Sequence, residues 1–580
     1  MTEQSFNSFC DASFAQLLSL APEVAGEIGV TEINGTRIPQ NKFSDYTQSG
    51  QNQRMSAMKD TLAKLEAYDR ASLSDDEKMT FDIYRDFLYN GRFGSLLGVN
   101  FAPTLGAEPL LNHLTGIQAE ALTFLTEWHS FHDQQSIKDH LQKLSQVPQL
   151  IEATIDWLDN QKAQGRLIAT NILDRVCSET RAFLAIDPAQ SEILTTFTDG
   201  LATLNVTGAE AAALRDEALT LIKTAVYPAY QTLLTYLQDD YPHTENRIGL
   251  ARLDDGKAHY RQCLAAATTT ALTPEQVHEQ GLTELAALQS AIEVELDALG
   301  YTADRFAKKL ETFEQDPALN LPAGETREQI MARVQTIMDD IRAPFLETLG
   351  RKPKADVVIQ AIPEHQEGNR HSLYTPPADD GSRPGVFYIN LTHLRGSSAN
   401  SLYTLTYHET FPGHHVQLTI AQELGDDLPA LRRILVHASY IEGWAKYSET
   451  LPWREGYNRN RHWHVSRMRS ELISTANLAL DTGIHYFGWT RDQGIKFVIE
   501  ETASSRAFAE MIVDRISATP AQTCAYKIGM NTVIGLRDQA EQTQGADFDI
   551  KRFHDLVLDS GSMPLTLLSD HVLGSLDVDC

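Results

Sequence analysis

The chain has 580 residues, with 78 acidic and 49 basic side chains and a formal net charge of −29. One core rarely grows to that length, so two or three subdomains, or one helical body split by a cleft, are expected. The acidic balance argues against nucleic acid as a partner. No apolar run reaches the ~18 residues of a membrane span. The five cysteines, Cys10, Cys177, Cys263, Cys524 and Cys580, are scattered and suggest neither a disulfide framework nor a thiolate site. Residues 1–20 lack a basic region followed by an apolar one, so no signal peptide is expected in the chain as it stands; a trimmed periplasmic protein or lipoprotein would look the same.

Helical periodicity dominates from the N-terminal side. Ile151, Ile155 and Leu158 keep one face apolar. Thr273, Pro274 and Gln276 read as an N-cap, a first helical position and the far half of a capping box. Leu285, Leu288, Ile292, Leu296 and Leu299 then form an apolar stripe that Gly300 closes. Polar breakers at 239–246 and 254–256 place a boundary near residue 260. Residues 1–260 are therefore read as an N-terminal helical subdomain and 261–580 as the catalytic one. Between Ala355 and Leu391, two β-rich runs flank the turn-forming segment 376–385 and predict a small antiparallel β ribbon just before the chemistry.

The segment Tyr407–Gln417 reads YHETFPGHHVQ. Zinc favours neutral imidazoles plus a carboxylate, with a position left for water. In HExxH helices the histidines lie at i and i+4, and the Glu is the base. Here the next histidines after His408 are His414 and His415, and an unbroken helix would carry His414 about 9 Å along the axis at ~1.5 Å per residue. One ion cannot accept both His408 and His414 in that geometry. The helix must break, and Pro412-Gly413 supplies the break. Glu409 is the candidate base, with His414 or His415 as the second ligand.

A third ligand is expected from a helix over 429–451, bounded by Pro429 and Pro452. Glu442 is the candidate, next to Gly443 and Trp444; its alternative is an i,i+4 ion pair with Lys446. Glu449, two turns on, is the candidate for orienting a ligand histidine. In the ribbon, Phe387 and Tyr388 are expected to pair with an extended peptide, and Tyr374 and Arg383 to line the same cleft.

With these residues the chain resembles a bacterial family of unknown function whose members carry HExxPGHH and are regarded as zinc peptidases. The resemblance runs through LTPEQVHEQGL (272–282), YTPPADDGSRPGVFYIN (374–390), HETFPGHHVQ (408–417), YIEGWAKYSE (440–449), DTGIHYFGW (481–489) and PAQTCAYKIG (520–529). That family is similar in architecture to thimet oligopeptidase, angiotensin-converting enzyme and the Taq-type carboxypeptidases. The resemblance implies a mainly α fold, a large helical body with a deep central channel of which residues 1–260 form one wall. It selects His414 over His415 as ligand. It also implies a His and a Tyr that polarise the attacked carbonyl, for which His485 and Tyr526 stand.

The expected function is zinc-dependent hydrolysis of peptide bonds, with one Zn2+ per chain held by His408, His414 and Glu442. The alternatives are a zinc amidase or esterase on a non-peptide substrate and a zinc-binding protein without turnover. The intact Glu409 argues against the last.

Overall fold

The structure is a computed structural model and describes residues 5–27, 29–90, 111–242, 248–322, 324–362, 372–377, 384–394, 398–425 and 428–577. Helices make up most of it, and strands are confined, among the described residues, to one two-residue pair and one three-stranded sheet. None of the described helices is long and apolar enough to cross a membrane. Among the described residues, Cys10, Cys177, Cys263 and Cys524 are buried and form no disulfide.

Chain contacts define two compact units. The first holds residues 1–259 with 429–434 and 517–519. Among its described residues the regular elements are helices apart from the small strand pair. Its longest helix, Gln134–Ala163, starts at a capping box between Asp133 and Ser136 and buries Ile151 and Leu158.

The second unit holds residues 260–428, 435–516 and 520–580, and it carries every residue of the candidate site. The helix Pro274–Ala298 opens on the predicted capping box of Thr273 and Gln276. Its stripe buries Leu285, Ile292 and Leu296 against Val465, Met468 and Leu472 of the long helix Arg461–His485. Each such side chain taken fully from water stabilises the pair by roughly 1.5–3 kcal/mol.

The ribbon region is a mixed sheet, which corrects the expected pairing. Gly385–Ile389 lies in the middle. It pairs antiparallel with Leu373–Thr375, as a ribbon should, but parallel with Val357–Ala361. A parallel pair needs a long crossover, and the connection between Ala361 and Gly385 is long enough to supply one. The middle strand has both edges taken, so a peptide backbone cannot add to Phe387 or Tyr388. The outer strands of the sheet are Val357–Ala361 and Leu373–Thr375.

The helix expected over 429–451 is also corrected. It is broken into Leu431–Ile434, Ala438–Ser448 and Leu451–Arg454. His437 is extended (φ −113°, ψ 115°), and its N–H is held by the Ser562 hydroxyl at 2.7 Å, a distant contact that replaces a helical bond. Pro452 starts the last short helix and does not stop the preceding one.

Candidate metal centre

The helix Asn400–Glu409 carries His408 and Glu409 on its last turn and ends at Thr410 (φ −114°, ψ −112°). The chain turns through Phe411, Pro412 and Gly413, and a new helix starts at His414. This close turn demands glycine: a Cβ on residue 413 would lie 1.8 Å from the His408 carbonyl oxygen. Trp444 holds the turn by donating its indole N–H to the Pro412 carbonyl at 3.0 Å. The fold-back brings the rings of His408 and His414 to 4.7 Å between centroids, nearly perpendicular at 86°.

Glu442, on Ala438–Ser448, completes the group. Its Oε2 lies 3.4 Å from His408 Nε2 and 3.6 Å from His414 Nε2. That oxygen is buried and has no hydrogen-bond partner. Donors bound at ~2.0–2.1 Å to one tetrahedral zinc stand about 3.4 Å apart, so these spacings match two edges of a zinc tetrahedron. Among the described residues, His408, His414 and Glu442 are the one group of His, Cys, Asp or Glu whose ligand atoms converge, all within 4.8 Å of one another. The fit is of donor type as well as spacing: two imidazoles and a carboxylate suit zinc and leave a position for water.

Lys446 does not pair with Glu442. Its ammonium reaches both oxygens of Glu449, at 2.9 and 2.8 Å. Glu449 in turn accepts from His408 Nδ1 at 2.9 Å, which turns Nε2 to the centre.

Tyr526 reaches the same place from the helix Cys524–Gln544. Its hydroxyl is directed at the Glu442 carboxylate and accepts from Arg515 at 3.3 Å. Arg515 also donates to the Gln522 side chain at 3.0 Å. No local pattern marks Arg515, because a helix boundary separates it from Tyr526.

The other predicted residues are placed differently. His485 is fully buried, its Nε2 bonds the Ile516 carbonyl at 2.8 Å, and its ring stacks on Tyr260 at 5.5 Å. His415, next to the ligand candidate, turns to the Tyr374 hydroxyl at 2.9 Å. The Tyr374 side chain is thus a packing element, buried to 2% exposure, while its backbone N–H serves Glu409. Phe387 is buried and Tyr388 half-buried, and both stand on the middle strand, which corrects the expectation that they pair with an extended peptide. Arg383 lies outside the described residues.

Burial shapes the charges. It pushes the Glu409 carboxyl up to about 7, against the pull of His408 and the Tyr374 N–H. Burial opposes a charge on His408, yet Glu442 and Glu449 hold its proton up to about 10. Burial and the neighbouring His408 take His414 down to about 3, so it is neutral. Burial alone would raise Glu442, but His408 and His414 beside it keep it below the usual carboxylate range.

A bacterial protein family of unknown function, DUF885, matches residues 22–572. A crystal structure of a candidate lipoprotein from Colwellia psychrerythraea is similar over 99% of this chain and 100% of that one, with a TM-score of 0.90 and 24% identity. A candidate lipoprotein of unknown function from Shewanella oneidensis is similar over 98% of this chain and 100% of that one, with a TM-score of 0.74 and 18% identity. No curated protein matches. These likenesses bear on the fold.

Proposed function

The chain belongs to the bacterial family of unknown function DUF885, and for it we propose zinc-dependent hydrolysis of peptide bonds in oligopeptides. The observation that carries this reading is the unpartnered Glu442 Oε2, 3.4 and 3.6 Å from two imidazole nitrogens, with the buried Glu409 directly after one of them. His408, His414 and Glu442 would hold the ion. When bound, zinc supplies Lewis acidity and a water that ionises near neutral pH.

The chain's own groups supply the rest. Glu409 follows His408 on the helix, so its side chain points about 100° away and need not ligate. A carboxyl pushed up to about 7 is suited to take a proton from water and return it to the leaving amine. The Tyr374 N–H, on an outer strand of the sheet, fixes that carboxylate. The same edge offers a place for an extended peptide backbone beside the base. Tyr526 would donate its hydroxyl to the oxygen on which negative charge develops, with Arg515 strengthening it as a donor. His485, bonded to the Ile516 carbonyl, is assigned a structural role. Both solved relatives are candidate lipoproteins, which favours an envelope location for this chain too.

The test is turnover of a mixed peptide pool by the purified chain, with and without chelator. Zinc-restored cleavage supports the reading. A chain that holds zinc and cleaves no peptide overturns it in favour of another amide or ester, or of binding without turnover.

A further inference from the structure

We propose that Lys446 is a positioning residue of the metal centre: it fixes the Glu449 carboxylate that holds His408, and it keeps its own charge off Glu442. The inference rests on reading His408, His414 and Glu442 as zinc ligands.

The geometry is complete. An ammonium has three N–H donors. Here two go to Glu449, at 2.9 and 2.8 Å, and the third to the Ser470 hydroxyl at 2.8 Å, on the helix Arg461–His485. Lys446 and Glu449 are each only 3% exposed, so water cannot substitute for either partner. Ser470 sets the direction of the ammonium from a second helix.

The alternative pairing was available. Glu442 stands four residues before Lys446 and Glu449 three after, and both spacings allow contact on a helix. Pairing with Glu442 would place a cation on the carboxylate meant for the metal. Pairing with Glu449 leaves Glu442 Oε2 open.

Charge balance favours the same pairing. Three carboxylates, Glu409, Glu442 and Glu449, crowd one buried site. Lys446 offsets Glu449, and the two that remain match a dication held by neutral imidazoles. Glu449 Oε1 is shared by Lys446 and His408 Nδ1. Without the lysine, that carboxylate loses two of its three anchors and is free to swing off His408 or toward the metal.

The test uses the full chain, stripped of metal and titrated with zinc against a chelator, and separately loaded with cobalt(II) for its visible spectrum. Lys446→Met should bind zinc about 10–100-fold more weakly, the usual cost of losing an outer partner of a ligand histidine. It should also shift the cobalt bands, which a merely structural defect would not do. Lys446→Gln, which keeps two N–H donors, should recover most of the loss. Ser470→Ala, which removes only the third acceptor, should weaken zinc severalfold and decides the matter if Lys446→Met does not fold. Wild-type affinity and an unchanged cobalt spectrum in folded Lys446→Met, or wild-type affinity in Ser470→Ala, overturns the proposal while leaving the zinc site intact. A wild-type chain that binds no zinc overturns the underlying reading itself.

Discussion

Gly443 and Gly529 meet backbone to backbone: a Cβ on Gly443 would lie 2.6 Å from the Gly529 Cα. This contact joins the helix carrying Glu442 to the helix carrying Tyr526. A Cβ on Gly529 would meet the Ser439 carbonyl at 1.9 Å, which neither helix can yield without moving apart. Gly529→Ala should destabilise by about 1–3 kcal/mol, the usual cost of overpacking. It should also draw Tyr526 from Glu442 and lower turnover more than zinc content. Denaturant unfolding with metal analysis checks this; a variant of wild-type stability would contradict it.

The ligand set makes a sharper prediction. His408→Ala, His414→Ala and Glu442→Ala should each weaken zinc strongly in chelator competition. His415→Ala should spare most of the affinity, because that ring faces Tyr374. The reverse ranking of His414 and His415 would redraw the loop.

Tyr526 and His485 should separate cleanly. Tyr526→Phe should keep fold and zinc and lose about 10²–10³ in rate, as for one lost oxyanion donor. His485→Phe leaves the Ile516 carbonyl without that buried partner, a cost of about 1–3 kcal/mol in stability. Rates per folded, zinc-loaded molecule tell the two apart: a catalytic His485 would lose rate without losing stability.

Asp481 predicts a pH dependence of stability. It is fully buried and accepts from Tyr260, the Ala521 N–H and Thr523 at 2.7, 3.0 and 3.0 Å. Burial still dominates and pushes its carboxyl up to about 7. A raised native value means the folded state holds the proton more tightly. That contribution is full below about 4, the unfolded value, and is lost as pH rises through about 7. Asp481→Asn should remove this slope, so wild type should weaken relative to the variant by up to ~1.4 kcal/mol per pH unit across that window. Denaturant unfolding at several pH values tests it, and parallel curves for the two proteins would refute the assignment.

Much of the site was legible because the sequence conflicts with a simple helix. His408 and His414 are too far apart on one helix to share an ion, and Pro412-Gly413 between them is the break that removes the conflict. Local periodicity found Thr273–Gly300 for the same reason: caps and stripe are encoded within one element. What was not legible depends on contacts distant in sequence. The choice of Lys446 between Glu442 and Glu449 is fixed by Ser470 on another helix. The break before Ala438 is fixed by Ser562. The β-rich runs at 357–361 and 385–389 show strand character but not direction, and a third strand of only three residues, Leu373–Thr375, takes the other side of Gly385–Ile389. Gly529 reads as a weak point in a helix until Gly443 is seen against it.

Glu409 as the base of a zinc-dependent peptide hydrolysis is tested by one comparison. Wild type and Glu409→Gln, each loaded with one equivalent of zinc, are assayed on the same mixed peptide pool. Glutamine keeps the size and hydrogen bonding but cannot take a proton at neutral pH. The prediction is that the variant retains its zinc and fold and cleaves about 10²–10⁴ times more slowly than wild type, whose activity a chelator abolishes and zinc restores. A zinc-loaded variant cleaving at the wild-type rate, or wild-type cleavage indifferent to the chelator, would contradict the account.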